Sequence, residues 1–163
     1  MGMHVEPQKE HHWLQRLVGD WTSETEAPGE NGGPPVKLRG SESVRPLGSL
    51  WILAEGRGDM PGGGTANMLL TLGYDEKKRA FVGTWIGSMM TYMWVYEGSL
   101  DAGGRKLVLR SEGPNCADEG KSMMKVREEI EFKSDDHRTF TSHWQDKDGN
   151  WTQMMEAHYY RKK

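Results

Sequence analysis

The feature that most constrains this chain is the rhythm of its turns. Clusters rich in Gly, Asn and Asp recur roughly every eight to twelve residues, the spacing of an all-β sandwich or barrel and not of alternating strands and helices. They include Pro28-Gly29-Glu30-Asn31-Gly32-Gly33-Pro34-Pro35, Asp75-Glu76-Lys77-Lys78, Ala102-Gly103-Gly104-Arg105, residues 115–120, Ser134-Asp135-Asp136-His137 and Lys147-Asp148-Gly149-Asn150. Gly, Asn and Asp tolerate the positive φ that tight hairpins require, so these are turns with a mechanism. Between them the spacing predicts strands near 19–26, 36–44, 50–57, 66–74, 80–87, 90–100, 106–112, 122–133, 139–145 and 151–161. The expected fold is all-β: a single antiparallel barrel of about eight to ten strands with a short N-terminal helix.

That helix is the one stretch that departs from the β pattern. In His11-His12-Trp13-Leu14-Gln15-Arg16-Leu17-Val18-Gly19, the residues Trp13, Leu14, Leu17 and Val18 share one stripe, and Gly19 supplies a left-handed stop. The expectation is a plug over one end of the barrel that delivers Trp21 into the first strand, with His11 and His12 on its exposed edge.

A length of 163 residues fits one domain, 1–163, able to bury its own core, with residues 1–8 as a flexible lead-in. The single Cys116 sits in a predicted loop with no neighbour to lower its pKa, which argues against nucleophilic chemistry. With 21 Lys and Arg against 24 Asp and Glu, the formal charge is −3 and gives no electrostatic case for nucleic acid. No apolar run approaches the ~18 residues of a membrane span, and the N-terminus shows no export signal, so no membrane partner and a cytoplasmic location are expected. The loop Met60-Pro61-Gly62-Gly63-Gly64-Thr65 lacks the Lys-Ser/Thr and following helix of a phosphate cradle, and is read instead as a cover over a barrel opening.

Alternation assigns faces best in the middle of the chain. Met124, Val126, Glu128, Ile130 and Phe132 fall on the inner face of the strand over 122–133. A turn centred on Gly103-Gly104 pairs Leu100 with Leu107, Gly98 with Leu109 and Glu97 with Arg110, and turns Tyr92, Trp94 and Tyr96 inward.

These residues suggest a family. Gly19-Asp20-Trp21 after a short helix resembles the Gly-x-Trp kernel of lipocalin-like (calycin) barrels, in which an Arg from the last strand packs over the Trp; Arg161 is the counterpart here. More specific are Leu72-Gly73-Tyr74-Asp75, Phe81-Val82-Gly83-Thr84-Trp85, Trp94-Val95-Tyr96-Glu97-Gly98-Ser99-Leu100-Asp101, Ser111-Glu112-Gly113-Pro114 and Ala157-His158-Tyr159-Tyr160-Arg161. In this order they resemble a bacterial domain-of-unknown-function family, number 1579, from about His11 onward. The resemblance implies a lipocalin-like barrel and no established activity. The Thr-Asp-Tyr motif of true lipocalins is missing. A more distant resemblance is to nitrobindins, barrels that hold haem through a His near the C-terminus, where His158 stands here.

Chemistry depends on one register. An even loop at Ser134-Asp135-Asp136-His137 pairs Glu128 with His143, and carrying it through Asp148-Gly149 adds Glu156 and His158 to the same inner wall, with Met154 opposite His143. An odd loop instead turns Phe140, Ser142, Trp144, Met155, Ala157 and Tyr159 inward and leaves both histidines in solvent. Continuity through a tight turn favours the even register, hydrophobicity the odd, and the even one is adopted as the expectation. His143 and His158 would then be offset by roughly 13 Å, too far to share one ion, so no metal is expected. No cofactor is required by any motif. The leading expectation is a cavity lined by Tyr92, Trp94, Tyr96, Met124 and Met154 that binds a small apolar or aromatic ligand, with Glu128, His143, Glu156 and His158 supplying polar contacts. Three alternatives stand beside it: an enzyme using a Glu128–His143 pair as general base, a haem protein, and a homodimeric interaction module using Trp51, Trp85 and Trp151.

Overall fold

The computed structural model describes residues 3–27 and 30–163. Met1 and Gly2 of the predicted lead-in and Pro28-Gly29 of the first predicted loop lie outside the described residues. A short helix, α1 (Lys9–Gln15), is followed by ten strands: β1 (Gly19–Ala27), β2 (Val36–Leu47), β3 (Trp51–Asp59), β4 (Thr65–Asp75), β5 (Ala80–Gly87), β6 (Trp94–Leu100), β7 (Lys106–Pro114), β8 (Met123–Ser134), β9 (His137–Gln145) and β10 (Trp151–Arg161). Each strand pairs antiparallel with the next, and β1 pairs with β10, so the meander closes into a barrel. Closure leaves no free edge along the paired length. Among the described residues no helix is long and apolar enough to cross a membrane.

Two ends of this barrel differ in kind. At one end α1 packs Trp13 and Leu14 into the interior, joined by Leu17 just past its end, where they meet Trp21, Phe81 and Phe132. Trp13 Nε1 donates to the carbonyl of Gly104 in the β6–β7 turn at 2.7 Å, which ties the plug to the rim. His11 is buried and not on an exposed edge: its Nδ1 accepts from the Gln8 N–H at 2.9 Å, which leaves Nε2 to donate to the Tyr74 carbonyl at 3.1 Å. The helix fixes its own entry in this way, because the imidazole satisfies one of the free N-terminal amides.

Gly19 is not the helix stop. The helix ends at Arg16 and two short-range bonds, Leu17 N to Leu14 O and Val18 N to Gln15 O, carry the chain round. Gly19 is instead the first residue of β1, at φ +139°, and a Cβ there would stand 2.5 Å from Arg161 Nη1. The space it leaves lets Arg161 donate to the Val18 and Arg16 carbonyls at 2.8 and 3.0 Å while its guanidinium lies 4.2 Å from the Trp21 ring. Here the Gly-x-Trp kernel and its terminal Arg act together as a clasp between the first and last strands.

The other end bears the loops at 60–64, 88–93, 115–122 and 146–150 and, among the described residues, carries no α-helix, only single 3-10 turns at Glu30–Gly32 and Cys116–Asp118. Every methionine after Met3 lies in this half, on these loops or on the strand ends beside them.

Candidate functional site

The decisive element is a single residue in the β8–β9 hairpin. Its turn is the expected even one, with Ser134 opposite His137 across Asp135-Asp136, but the register shifts between Phe132 and Ser134 so that Phe132 faces Arg138. Lys133 is a bulge. One extra residue moves every following side chain to the other face. The even register is therefore corrected beyond the turn: Glu128 pairs with Ser142, His143 pairs with Arg127 on the outside, and the Glu128–His143 pair expected as a general base does not form. Between β9 and β10 the expected pairs Thr141 with Glu156 and Thr139 with His158 do occur, but on the outer face, and a second shift between Gln153 and Met155 leaves Met154 bulged.

The expected site residues consequently fall into three groups. Trp94, Tyr96 and Met124 point inward but belong to the packed core on the β6–β9 side, with Tyr92 against them. The Tyr92 hydroxyl donates to the Glu112 carbonyl at 2.7 Å, and its ring meets Trp94 edge-on at 5.2 Å. Glu128 points inward in the same region. Its Oε1 accepts from the Tyr96 hydroxyl at 3.4 Å, while Oε2 is buried without a partner among the described residues. Burial pushes its pKa up to about 7, with the Ser142 and Tyr96 hydroxyls acting against that rise.

His143, Glu156 and His158 make up the outer group. His158 Nε2 stands 3.3 Å from Glu156 Oε1, and its Nδ1 is 2.9 Å from Nε2 of His137, whose ring stacks on Tyr160 at 4.7 Å. Burial, then the neighbouring His158, holds the His137 imidazole below its ordinary range. His158 therefore cannot reach the interior, and no histidine lines the cavity among the described residues, so the side chain needed for a single-His haem site is not in place. Trp51 and Trp151, expected at a dimer face, are 40% and 38% exposed, yet Trp51 covers Gly73 of its own sheet and Trp151 lies under the Arg127 guanidinium at 4.8 Å.

What the register creates instead is a cavity of about 410 Å³ in the open half, on the β1–β4 and β9–β10 side. Its walls are Leu38, Ala54, Gly56, Gly58, Ala66, Met68, Leu70, Trp85, Ile130, Phe140 and Ala157, with Met60, Met89, Met154 and Met155 toward the mouth. Small residues make the space. At Gly56 a Cβ would meet nothing nearer than Met68 Cε at 3.4 Å. Of the expected lining, only Met154 borders this cavity.

Polar residues absent from the expected set also line it, Ser23, Thr25, Glu42, Arg138 and Tyr159 among them. Arg138 is 4% exposed and is bonded through Nη2 to Glu42 Oε1. Its guanidinium carbon lies 4.1 Å from the Tyr159 ring centroid and 4.5 Å from that of Trp21. Burial first, then Glu42, pushes the Tyr159 hydroxyl upward, and Arg138 opposes them. Position 138 was open to alternation from Phe140 and Ser142, but only after the bulge is known.

The mouth continues sideways. Pairing of β1 with β10 ends at Thr25 and Ala157, so residues 151–156 of β10 bond to β9 alone. An outer groove along this seam shares Thr25, Glu26, Ala27, Met154 and Met155 with the cavity.

The family model described as "Protein of unknown function (DUF1579)" matches residues 6–161. Among curated proteins none matches the sequence significantly. Among solved structures, Rv2717c from M. tuberculosis is similar at a TM-score of 0.59 and 12% identity, covering 97% of this chain and 100% of that one. The S-type phycobiliprotein lyase CPES from Guillardia theta is similar at a TM-score of 0.58 and 17% identity, covering 96% and 99%. At these identities the likeness is one of fold.

Proposed function

The chain belongs to the family of proteins of unknown function DUF1579, and we propose that it is a small-molecule binding protein whose apolar ligand sits in the open half of the barrel. The observation that supports this reading is the contrast between the two halves of one interior. The closed half is filled by Trp13, Trp21, Phe81 and Phe132, whereas β3 brings Ala54, Gly56 and Gly58 to the open half and leaves about 410 Å³. Interiors pack densely, with few voids larger than a water, and a cavity of this size falls in the range used for small ligands. The methionines at the mouth are flexible and polarizable, which suits a flat or irregular apolar guest.

The test is a fluorescence titration of the whole protein with 2-ethylnaphthalene, repeated on Gly56→Leu. Because a Cβ at position 56 would meet Met68 and the Glu42 carboxylate at no less than 3.4 Å, the new side chain has room to grow into the cavity. Affinity should fall by about tenfold or more, with the unfolding midpoint held or raised. Unchanged affinity in Gly56→Leu would move the ligand elsewhere, and no binding by the wild type would end the reading.

A further inference from the structure

Arg138 is tied on one side and unpaired on another. Nη2 is engaged by Glu42, and the guanidinium is held between Tyr159 and Trp21, while Nε is buried with no partner among the described residues. The residue lines the cavity. A buried N–H donor left without an acceptor is costly, so this one is an unmet demand at the wall of a ligand-sized space.

We propose that the cavity selects an uncharged, largely apolar molecule whose polar group is a hydrogen-bond acceptor, a ketone, ester or amide carbonyl, received by the Nε–H of Arg138. This rests on the ligand-binding reading of the cavity. Charge decides the class. Glu42 already neutralises the guanidinium at the cavity wall. A carboxylate ligand would bring further negative charge beside Glu42, and an ammonium group has no lone pair with which to accept the Nε–H. A carbonyl needs neither charge nor a proton, and a hydrogen bond to a charged donor gains more than one between neutral groups. The rest of such a molecule meets Ala54, Leu70, Phe140 and Ala157, which make part of the wall apolar.

The experiment compares 2-acetylnaphthalene, 2-ethylnaphthalene and 2-naphthoate at pH 8 on the whole protein. They share one ring system and differ in acceptor and charge. The expected order is acetyl tightest, ethyl about tenfold weaker, and naphthoate weakest. Arg138→Lys keeps a cation beside Glu42 but removes the Nε–H donor, so the preference for acetyl over ethyl should shrink to about twofold or less. A measurement independent of that variant's folding is the ¹⁵Nε signal of Arg138 in the wild type, which should move with 2-acetylnaphthalene and stay with 2-ethylnaphthalene. Equal affinity for the acetyl and ethyl compounds, or a preference for naphthoate, overturns the carbonyl class while leaving the cavity as a binding site. If none of the three binds, the ligand-binding reading fails and this inference goes with it.

Discussion

Single residues in this barrel are held by close complements, and the most consequential is Glu128. A carboxyl whose pKa in the folded chain is about 7, against an ordinary 4.5, binds its proton more tightly folded than unfolded. The stability it carries is therefore complete below the unfolded value and is lost as pH rises through 7, the reverse of a salt-bridged carboxylate. The difference amounts to about 3 kcal/mol. Glu128→Gln, which keeps the shape and cannot ionise, should flatten this dependence: near parity with the wild type at pH 4.5, greater stability at pH 8. Urea unfolding at the two pH values reads it, and a wild type no less stable at pH 8 than at pH 4.5 would show that the carboxyl is not desolvated. The Arg161–Trp21 contact was legible through the resemblance of Gly19-Asp20-Trp21 to the Gly-x-Trp kernel, which implies an Arg from the last strand over the Trp. The Arg138–Glu42 pair was not, since it joins β9 to β2 across the barrel and depends on a register no motif reports.

At the scale of elements, the hairpin rhythm placed ten strands, and the β6–β7 pairs Leu100 with Leu107 and Glu97 with Arg110 stand as the turn at Gly103-Gly104 requires. The β8–β9 turn was equally legible, yet Lys133 reverses its outcome because a bulge leaves no mark in an alternating sequence of charged residues. Deleting Lys133 should therefore be far worse than changing it. Removal forces Phe140 and Ser142 outward against a β8 face already fixed by β7, and cooperative thermal unfolding should be lost. Lys133→Ala keeps the extra residue and should shift stability by less than about 0.5 kcal/mol. The glycines divide in the same physical way. A Cβ at Gly83 would lie 2.0 Å from the Thr71 carbonyl oxygen, whereas one at Gly56 finds room. Gly83→Ala should cost roughly 1–3 kcal/mol or more as strand separation adjusts, and Gly56→Ala should be close to neutral, as calorimetry of the pair would show.

For the whole molecule, the proposed ligand would have to enter a barrel that is plugged at one end by α1 and bordered at the other by loops. Cavity and outer groove meet where β1 and β10 part company above Thr25 and Ala157, and the bulged Met154, half exposed, stands at the junction. This seam offers a lateral port whose width depends on two strand ends that bond only to their outer neighbours. Continuing the β1–β10 register beyond Thr25–Ala157 would set Ala27 opposite Met155, so an Ala27→Cys/Met155→Cys pair, in a Cys116→Ser background to leave no competing thiol, should draw the ends together on oxidation. A gate does not alter the bound contacts, so its closure slows entry and exit equally and leaves Kd nearly unchanged. Stopped-flow binding of 2-acetylnaphthalene should then show both rates falling by about tenfold or more in the disulfide form and recovering with reductant. Rates that stay the same in the oxidised protein would place the port among the loops at 60–64 and 88–93. A change in Kd alone, at constant on-rate, would mean that Met155 acts on the bound ligand as part of the cavity wall and not as a door to it.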